Sequence, residues 1–288
     1  MTVAVMGIVN ITPDSFSDGG RYRAPSAAIA RAHELIAAGA TIIDIGGEST
    51  RPGSTRIDAA TEIARIKPVV EELVDSPARI SIDTLHARTA AEMLDLGVTI
   101  INDVSGGLAD PAMYATVGRY PNAHYIMGHW RATPATMTDH ANYRNVVAEV
   151  AHELAGRVHL AWAASLRNIV LDPGIGFAKN AEHNWQLLRH LPTLRARVAT
   201  AVGASVTDAG QGLDVGPLPV MLGVSRKRFL AAHACPFSDD PRDRDLATAV
   251  ISAHLACLRP WALRVHNVGA TVAALDIAHK LNCAGRHG

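Results

Sequence analysis

The sequence predicts a single-domain α/β protein, a (β/α)8 or TIM barrel, from three observations. Eight short apolar runs alternate with stretches of helical periodicity over the 288 residues. Polar or charged residues follow each run, as they do at the carboxyl ends of barrel strands, where barrel enzymes carry their active sites. A doubly wound open sheet is the alternative, but it does not predict eight uninterrupted repeats, and no early strand carries a complete G-x-G-x-x-G motif.

The predicted strands are short apolar runs bounded by turn residues. The first run is continuously apolar, which is typical of a strand buried on both faces, and Asn10 follows it. In chain order the strands are predicted at 3–9, 41–47, 79–83, 99–104, 123–127, 168–172, 219–223 and 262–266.

The helices are predicted from the helical period and from start and stop signals. Ser26 is the expected cap of the first helix and Gly39 its stop, whereas Ile63, Ile66 and Val70 give the second its apolar face. The predicted ranges are 25–38, 58–74, 87–96, 111–118, 143–164, 181–191, 246–258 and 268–281. Outside this pattern, the Gly-, Ala- and Asp-rich segment 201–217 is predicted to be a surface insertion remote from the chemistry, and 236–244 a solvated loop.

Composition limits the kind of partner and the location. Lys and Arg number 27 against 27 Asp and Glu, so the formal net charge is zero. This balance argues against nucleic acid or a membrane surface as the main partner, and any anion site must be a local basic cluster. Three widely spaced cysteines form no metal-ligand motif, and neither a signal peptide nor a membrane span is evident. We therefore expect a cytoplasmic protein.

The first group of strand-end residues consists of carboxylates and amides: Asp83, Asn102, Asp172 and Asn10. Such groups suit a planar heterocycle that presents ring N–H and amino donors, and Lys227 could donate to a ring oxygen or nitrogen. A lone Asp at such a place is more often a cap or a turn residue, and this is the interpretation for Asp103 and Asp110.

The second group is basic: Arg51, Arg264, His266 and the run Arg226-Lys227-Arg228. Arg binds phosphate in a bidentate manner, so a basic cluster in a neutral chain predicts a phosphorylated or pyrophosphorylated substrate. Arg264 and His266 are alternate residues of one strand and should face the same way, whereas Arg228 is expected to face solvent. His129, Trp130 and Arg131 follow the fifth strand and either line the pocket mouth or, for Trp130, belong to the core.

Several long motifs resemble those of the dihydropteroate synthase family. The most specific are the stretch from Asn10 to Gly20, which carries Asp14 and Phe16, and the stretch from Asp44 to Gly53. Shorter matches stand at 81–84, 101–103, 172–177, 225–227 and 264–266. The resemblance runs from the first predicted strand to the eighth.

This resemblance implies a pterin-binding barrel enzyme, a transferase of folate biosynthesis. It would condense 6-hydroxymethyl-7,8-dihydropterin pyrophosphate with p-aminobenzoate in an SN1-like substitution, with Asp14 and Arg51 on loops that close over the site. It also implies Mg²⁺ as cofactor with Asn10 as a ligand, a homodimer, and sulfonamides as competitors of p-aminobenzoate.

The site residues follow from the same resemblance. The pterin would be bound by Asp83, Asn102, Asp172, Lys227 and Gly223. The pyrophosphate would be bound by Arg51, Arg264 and His266. The p-aminobenzoate would be bound by Thr50, Arg51, Pro52, Phe16, Phe177 and Ser225. The catalytic set would be Asp172, Lys227, Arg264, His266, Asp14 and Arg51.

Three positions depart from the family pattern. Asn267 stands where an Asp is usual, Gly128 stands where the fifth strand usually ends in Met, and the segment 201–217 is longer than expected. Two other functions compete with the synthase: a silent pterin-binding paralogue, and a methyltransferase acting between a folate and a corrinoid. The first should have lost one of the motifs and the second has no need of the basic cluster, so the synthase is favoured.

Overall fold

A computed structural model describes residues 3–11, 20–48, 56–131, 141–203, 218–233 and 240–284. Within these residues eight strands form one parallel sheet. They are β1 (Ala4–Asn10), β2 (Ile42–Gly46), β3 (Arg79–Asp83), β4 (Ile100–Asp103), β5 (His124–Gly128), β6 (Ile169–Asp172), β7 (Met221–Leu222) and β8 (Ala262–Val265).

The sheet closes on itself. Its order is β6-β5-β4-β3-β2-β1-β8-β7, and a parallel bridge between Leu171 and Val220 joins the two outer strands. Every strand therefore has neighbours on both sides, and the predicted (β/α)8 TIM barrel is confirmed over the open doubly wound sheet.

Helices cover the outside of the barrel. They are α1 (Gly20–Ala37), α2 (Ala59–Leu73), α3 (Ala87–Asp95), α4 (Met113–Val117), α5 (Val146–Ala163), α6 (Ala181–Arg189), α7 (Leu191–Ala201), α8 (Asp245–Leu255) and α9 (Val268–Ala284). None of the helices among the described residues is long and apolar enough to cross a membrane.

Side chains of opposite character fill the two ends of the barrel. One buried apolar cluster lies inside the ring of strands and takes a residue from seven of them: Met6, Ile42, Ile100, Ile126, Val170, Met221 and Ala262. A larger cluster packs between the strands and the helices. Because the inner apolar layer fills the amino-terminal end, polar side chains gather at the carboxyl-terminal end, where a ligand could enter.

Two helical predictions differ from the structure. The first helix begins at Gly20 rather than at 25, so Ser26 lies within it and does not cap it. The helix α7 was not predicted, although Leu194 and Val198 are buried at helical spacing. Pro192 suggests a break, but it stands in the first turn, where the missing N–H has no partner to lose. Of the proposed insertion, residues 204–217 lie outside the described residues.

Candidate active site

Arg264 of β8 links the carboxyl ends of three strands. Its Nε donates to Asp44 Oδ2 at 2.6 Å and its Nη2 donates to Asp83 Oδ2 at 2.7 Å. Burial opposes the charge, but the carboxylates of Asp44 and Asp83 outweigh it and raise the pKa of Arg264. Asp44 also accepts hydrogen bonds from Ser81 Oγ at 2.6 Å and Asn102 Nδ2 at 3.1 Å. One buried network therefore holds the ends of β2, β3, β4 and β8.

Two buried oxygens of this network, Asp83 Oδ1 and Asn102 Oδ1, accept no hydrogen bond from the part of the chain that the structure describes. The two residues are register partners on β3 and β4, so their acceptors lie side by side. Burial raises the pKa of Asp83 to about 7, although Arg264 opposes the shift. Buried acceptors are nearly always satisfied in native proteins, so this pair suits a ligand with adjacent N–H donors.

Asp172 ends β6, and Lys227 follows β7 at the same end of the barrel. Asp172 Oδ1 accepts the Gly174 backbone N–H at 2.8 Å, and burial raises the pKa of the carboxyl group against the pull of Lys227 and Lys179. The Lys227 Nζ lies 4.2 Å from the centre of the Phe177 ring, a cation–π distance. Burial, helped by Arg264, lowers the pKa of Lys227 to about 8.

His266 and Ser225 form a hydrogen-bonded pair beside Arg264. Ser225 Oγ lies 2.9 Å from His266 Nδ1 and accepts the His266 backbone N–H at 3.1 Å. Burial lowers the pKa of His266 to about 3, so its ring is neutral. If the serine hydroxyl donates to Nδ1, the ring hydrogen is on Nε2, where it can donate to an anion.

Two further predicted residues belong to the same end of the barrel. A Cβ added to Gly46 would lie 3.6 Å from Asn10 Oδ1 and 3.5 Å from Asp83 Cβ, so these two side chains flank Gly46. A Cβ added to Gly223 would lie 3.9 Å from Arg264 Cβ. The structure thus groups the described residues of the predicted site at one barrel end: Asn10, Asp83, Asn102, Asp172, Phe177, Gly223, Ser225, Lys227, Arg264 and His266.

Comparison with known proteins decides the family. The pattern of the pterin binding enzyme family matches residues 6–266. The chain is 46% identical to the dihydropteroate synthase of Mycobacterium leprae over 96% of this chain and 92% of that protein. The chain belongs to the dihydropteroate synthase family. It is therefore a transferase of folate biosynthesis.

Solved structures of dihydropteroate synthases have the same fold. That of Burkholderia cenocepacia, complexed with 7,8-dihydropteroate, matches with a TM-score of 0.83 and 32% identity over 99% of this chain and 94% of that one. That of Yersinia pestis, in a sulfonamide drug complex, matches with a TM-score of 0.83 and 31% identity over 98% and 95%.

Some predicted residues of the dihydropteroate synthase site lie outside the described residues: Asp14, Phe16, Thr50, Arg51 and Pro52. Arg226, one of the predicted basic residues, is paired with Asp245 at 2.7 and 2.8 Å, and its charge helps burial to lower the pKa of His266. Arg228 is exposed, as predicted. Trp130 is buried in an apolar cluster with Phe177, which agrees with the core alternative, whereas His129 is fully buried and does not line the mouth.

The departures from the dihydropteroate synthase pattern have local structural reasons. Asn267 caps α9, because its Oδ1 accepts the Ala270 backbone N–H at 3.1 Å. A Cβ at Gly128 would lie 2.4 Å from the Val104 carbonyl oxygen, so the packing of β5 against the end of β4 requires glycine there.

Two groups of the site were missed by sequence reasoning. Asp44 stands in the apolar run of β2, and a carboxylate in such a run must be paired, which is a signal that could have found it. The contacts among Lys179, His129 and Glu153 join three separate parts of the chain, and no local pattern predicts them. By contrast, Asp103 and Asp110 bind backbone N–H groups of nearby turns and caps, which confirms their structural interpretation.

Proposed function

We propose that this chain joins 6-hydroxymethyl-7,8-dihydropterin pyrophosphate to p-aminobenzoate, giving 7,8-dihydropteroate and pyrophosphate. The proposal is carried by two buried acceptors, Asp83 Oδ1 and Asn102 Oδ1, which accept no hydrogen bond within the described ranges. A pterin ring presents N–H donors along one edge, and these would satisfy both oxygens. A site built to bind N–H groups discriminates strongly against rings that lack them.

The opposite edge of the pterin is proposed to be bound by Asp172 and Lys227. The Lys227 ammonium is a donor to the ring oxygen or nitrogen, and Asp172 is an acceptor for the remaining ring donors. The Phe177 ring against Lys227 supplies an apolar wall. Aromatic and aliphatic walls with a few convergent polar groups are typical of sites for flat heterocycles.

The leaving group is the pyrophosphate. The bond between the pterin methylene carbon and the bridging oxygen breaks, and its electron pair stays on the pyrophosphate. Arg264 and His266 lie at the adjacent carboxyl end of β8 and would stabilise the charge that develops, His266 by donating from Nε2 when Ser225 donates to its Nδ1. Arg51, predicted to join them, lies outside the described residues.

The carbon that remains is a methylene cation conjugated to the pterin ring. The Asp172 carboxylate stabilises it electrostatically until the p-aminobenzoate amine forms the new C–N bond and loses a proton to solvent. Because the cation exists before the amine attacks, the substitution is SN1-like, and water must be excluded. Asp14 and Arg51, for which the resemblance implies a role in excluding water, lie outside the described residues.

Mg²⁺ fits the donors at this end of the barrel. The Asn10 amide oxygen and the Asp83 carboxylate flank Gly46, and Mg²⁺ prefers a few protein oxygens together with substrate phosphates. Asn10 would hold the ion; when bound, Mg²⁺ neutralises charge on the pyrophosphate. Chelation with EDTA should stop turnover, and an Asn10→Ala variant should need more Mg²⁺ to recover it.

The p-aminobenzoate site is proposed at Phe177 and Ser225, with Phe16, Thr50, Arg51 and Pro52 from the two loops. Ser225 is buried and bonded to His266, so it ties this subsite to the pyrophosphate end. Sulfonamides resemble p-aminobenzoate in shape and charge, and we propose that they compete for this subsite.

A homodimer is proposed through α8 and α9, which pack against each other. Of the large apolar side chains exposed within the described residues, Leu246 and Val250 lie on α8 and Ile277 and Leu281 on α9. Such a patch on neighbouring helices is typical of a contact between protein subunits. The cytoplasmic location stays a prediction.

The test is steady-state formation of dihydropteroate from both substrates with Mg²⁺. Lys227→Ala and Arg264→Ala should each lower kcat/KM by at least about a hundredfold, because each removes a charged partner of the reacting substrate. Lys67→Ala and Arg242→Ala are matched controls, since both side chains form ion pairs on the outer helices and surface.

The two competing functions give different outcomes. Pterin binding without turnover in the native chain would indicate the silent paralogue. Methyl transfer from a folate to a corrinoid, with no use of p-aminobenzoate, would indicate the methyltransferase. Either result would overturn the proposed reaction.

A further inference from the structure

The loop from Asp172 to Phe177 is held from behind by Lys179. The Lys179 Nζ donates to the Phe177 carbonyl oxygen at 3.0 Å and lies 3.0 Å from His129 Nδ1. On the other side of the same loop, the Phe177 ring faces the Lys227 ammonium. Phe177 is thus fixed by one lysine through its backbone and contacts another through its ring.

His129 receives this contact as a neutral ring of defined tautomer. Its side chain is fully buried, and burial together with the charge of Lys179 lowers its pKa to about 3. Its Nε2 lies 3.0 Å from Glu153 Oε2, and a carboxylate can only accept. The ring hydrogen is therefore on Nε2, which leaves Nδ1 to accept from Lys179.

The outer end of the chain of contacts is anchored by ion pairs. Arg131 Nε donates to Glu153 Oε1 at 2.9 Å, and Arg131 Nη2 donates to Glu149 at 2.7 Å. The hydrogen bonds that Glu153 accepts from His129 and Arg131 lower its pKa to about 2, against the effect of burial, so Glu153 is ionised. Lys179, His129 and Glu153 therefore form a directed chain from the active-site loop to helix α5.

The backbone of His129 contacts the same loop. Its N–H donates to the Asp172 carbonyl oxygen at 3.0 Å, and a Cβ at Gly174 would lie 2.0 Å from the His129 carbonyl oxygen. Asp172 and Phe177, at the two ends of the loop, are both fixed relative to His129. A shift of His129 would therefore move a pterin ligand and the wall beside it together.

We propose that Lys179 is a positioning residue of the active site. Its bonds to His129 and to the Phe177 carbonyl set the place of the Asp172 carboxylate and the Phe177 ring around the pterin. The inference rests on the proposed pterin site but not on turnover. A lysine used only for packing would be replaceable by an apolar side chain, because burying an ammonium costs more than burying a methyl group.

The experiment measures calorimetric affinity for 6-hydroxymethylpterin and the melting temperature of the full chain. Lys179→Met keeps the length of the side chain and removes the donor, so the affinity should fall about tenfold. Lys179→Gln keeps an N–H donor, so its affinity for the pterin should fall only about threefold, a partial rescue by a conservative substitution. Lys67→Met is the control: this lysine also forms a 3.0 Å bond, to Glu92 on the outer helices, and its loss should leave the affinity unchanged.

The outcomes separate positioning from stability. If Lys179→Met and Lys179→Gln fold and bind the pterin within about twofold of the native chain, the inference is wrong, even when their melting temperatures fall. If Lys179→Met does not fold, Lys179→Leu, which also lacks the donor, decides by the same limit. Dihydropteroate formation by the native chain is measured alongside, so that a failed synthase assay tests the proposed function and leaves the binding comparison intact.

Discussion

The Asp44 carboxylate binds three side chains that no single sequence motif contains. Its two carboxylate oxygens accept from Arg264, Asn102 and Ser81, and the residue is completely buried. Asn102 presents its own oxygen to the ligand only because its amide nitrogen is bound by Asp44. At the scale of the residue, the protein oxygens that are proposed to accept from the pterin are therefore oriented by a carboxylate that need not touch the pterin.

Asp44→Ala should lower the free energy of unfolding by about 3 kcal/mol or more, because it leaves a buried guanidinium with one partner instead of two. Urea unfolding at neutral pH measures this loss. Glu34→Ala is the control, since Glu34 pairs with the exposed Arg31 within one helix and its removal should leave the midpoint unchanged. Equal midpoints for the two variants would contradict the role of Asp44.

The affinity for pterin should depend on pH with two limbs. Asp83, with its pKa raised by burial to about 7, accepts a ring N–H much more strongly when ionised, so affinity falls as the pH drops through that value. Lys227, with its pKa lowered by burial to about 8, donates from an ammonium that is lost as the pH rises through that value. Calorimetry with 6-hydroxymethylpterin across this range measures both limbs.

Variants assign the two limbs. Asp83→Asn should remove the acid limb and Lys227→Met the alkaline limb, each at the cost of lower affinity throughout. A limb that survives in its own variant belongs to the ligand or to another group, and the assignment to that residue would then be wrong.

Among the elements, the turn after β6 shows why some glycines cannot be replaced. Gly174 has φ +67 and packs directly against the His129 carbonyl, whereas a Cβ added to Gly156 within α5 would meet no heavy atom within 4 Å. The first glycine is required by conformation and by contact. The second only weakens its helix.

Alanine at these two glycines should change stability in opposite directions. Gly174→Ala should lower the free energy of unfolding by about 2 kcal/mol or more and weaken pterin affinity, because the loop must move. Gly156→Ala should raise it by roughly 0.5 to 1 kcal/mol through helix propensity. Thermal or urea unfolding measures both, and a stabilised Gly174→Ala would contradict the packing seen at His129.

For the whole molecule, the exposed apolar side chains of α8 and α9 predict the assembly. Leu246→Asp should convert the proposed dimer to a monomer, because it places a charge in the contact. Light scattering after size exclusion measures the mass. Leu160→Asp is the matched control, since Leu160 is also largely exposed but lies on α5. A native chain that is monomeric at micromolar concentration, or a Leu160 variant that dissociates, would show that this surface is not the interface.

Much of the architecture could be predicted because its signals are local. Each strand is an apolar run ended by a polar group, and each helix has an apolar stripe, so alternation alone indicated the barrel and the end that carries the site. Where a local signal misled, as with Pro192 at the start of α7, packing of Leu194 and Val198 decided the structure. The pairing of Arg226 with Asp245, 19 positions away, could not be predicted, because a basic residue in a motif does not reveal its partner.

By itself the sequence determined the fold class, the family and the candidate strand-end residues, since all three are encoded in short, contiguous patterns. Only the tertiary structure decided which of those residues share a network, which oxygens accept no hydrogen bond within the described residues, and that Lys179 stands behind Phe177. These facts depend on distances between atoms far apart in the chain, such as Arg264 and Asp44, 220 positions apart and 2.6 Å from each other. Barrel closure brings such atoms together, and burial then sets their pKa values and their hydrogen-bond partners.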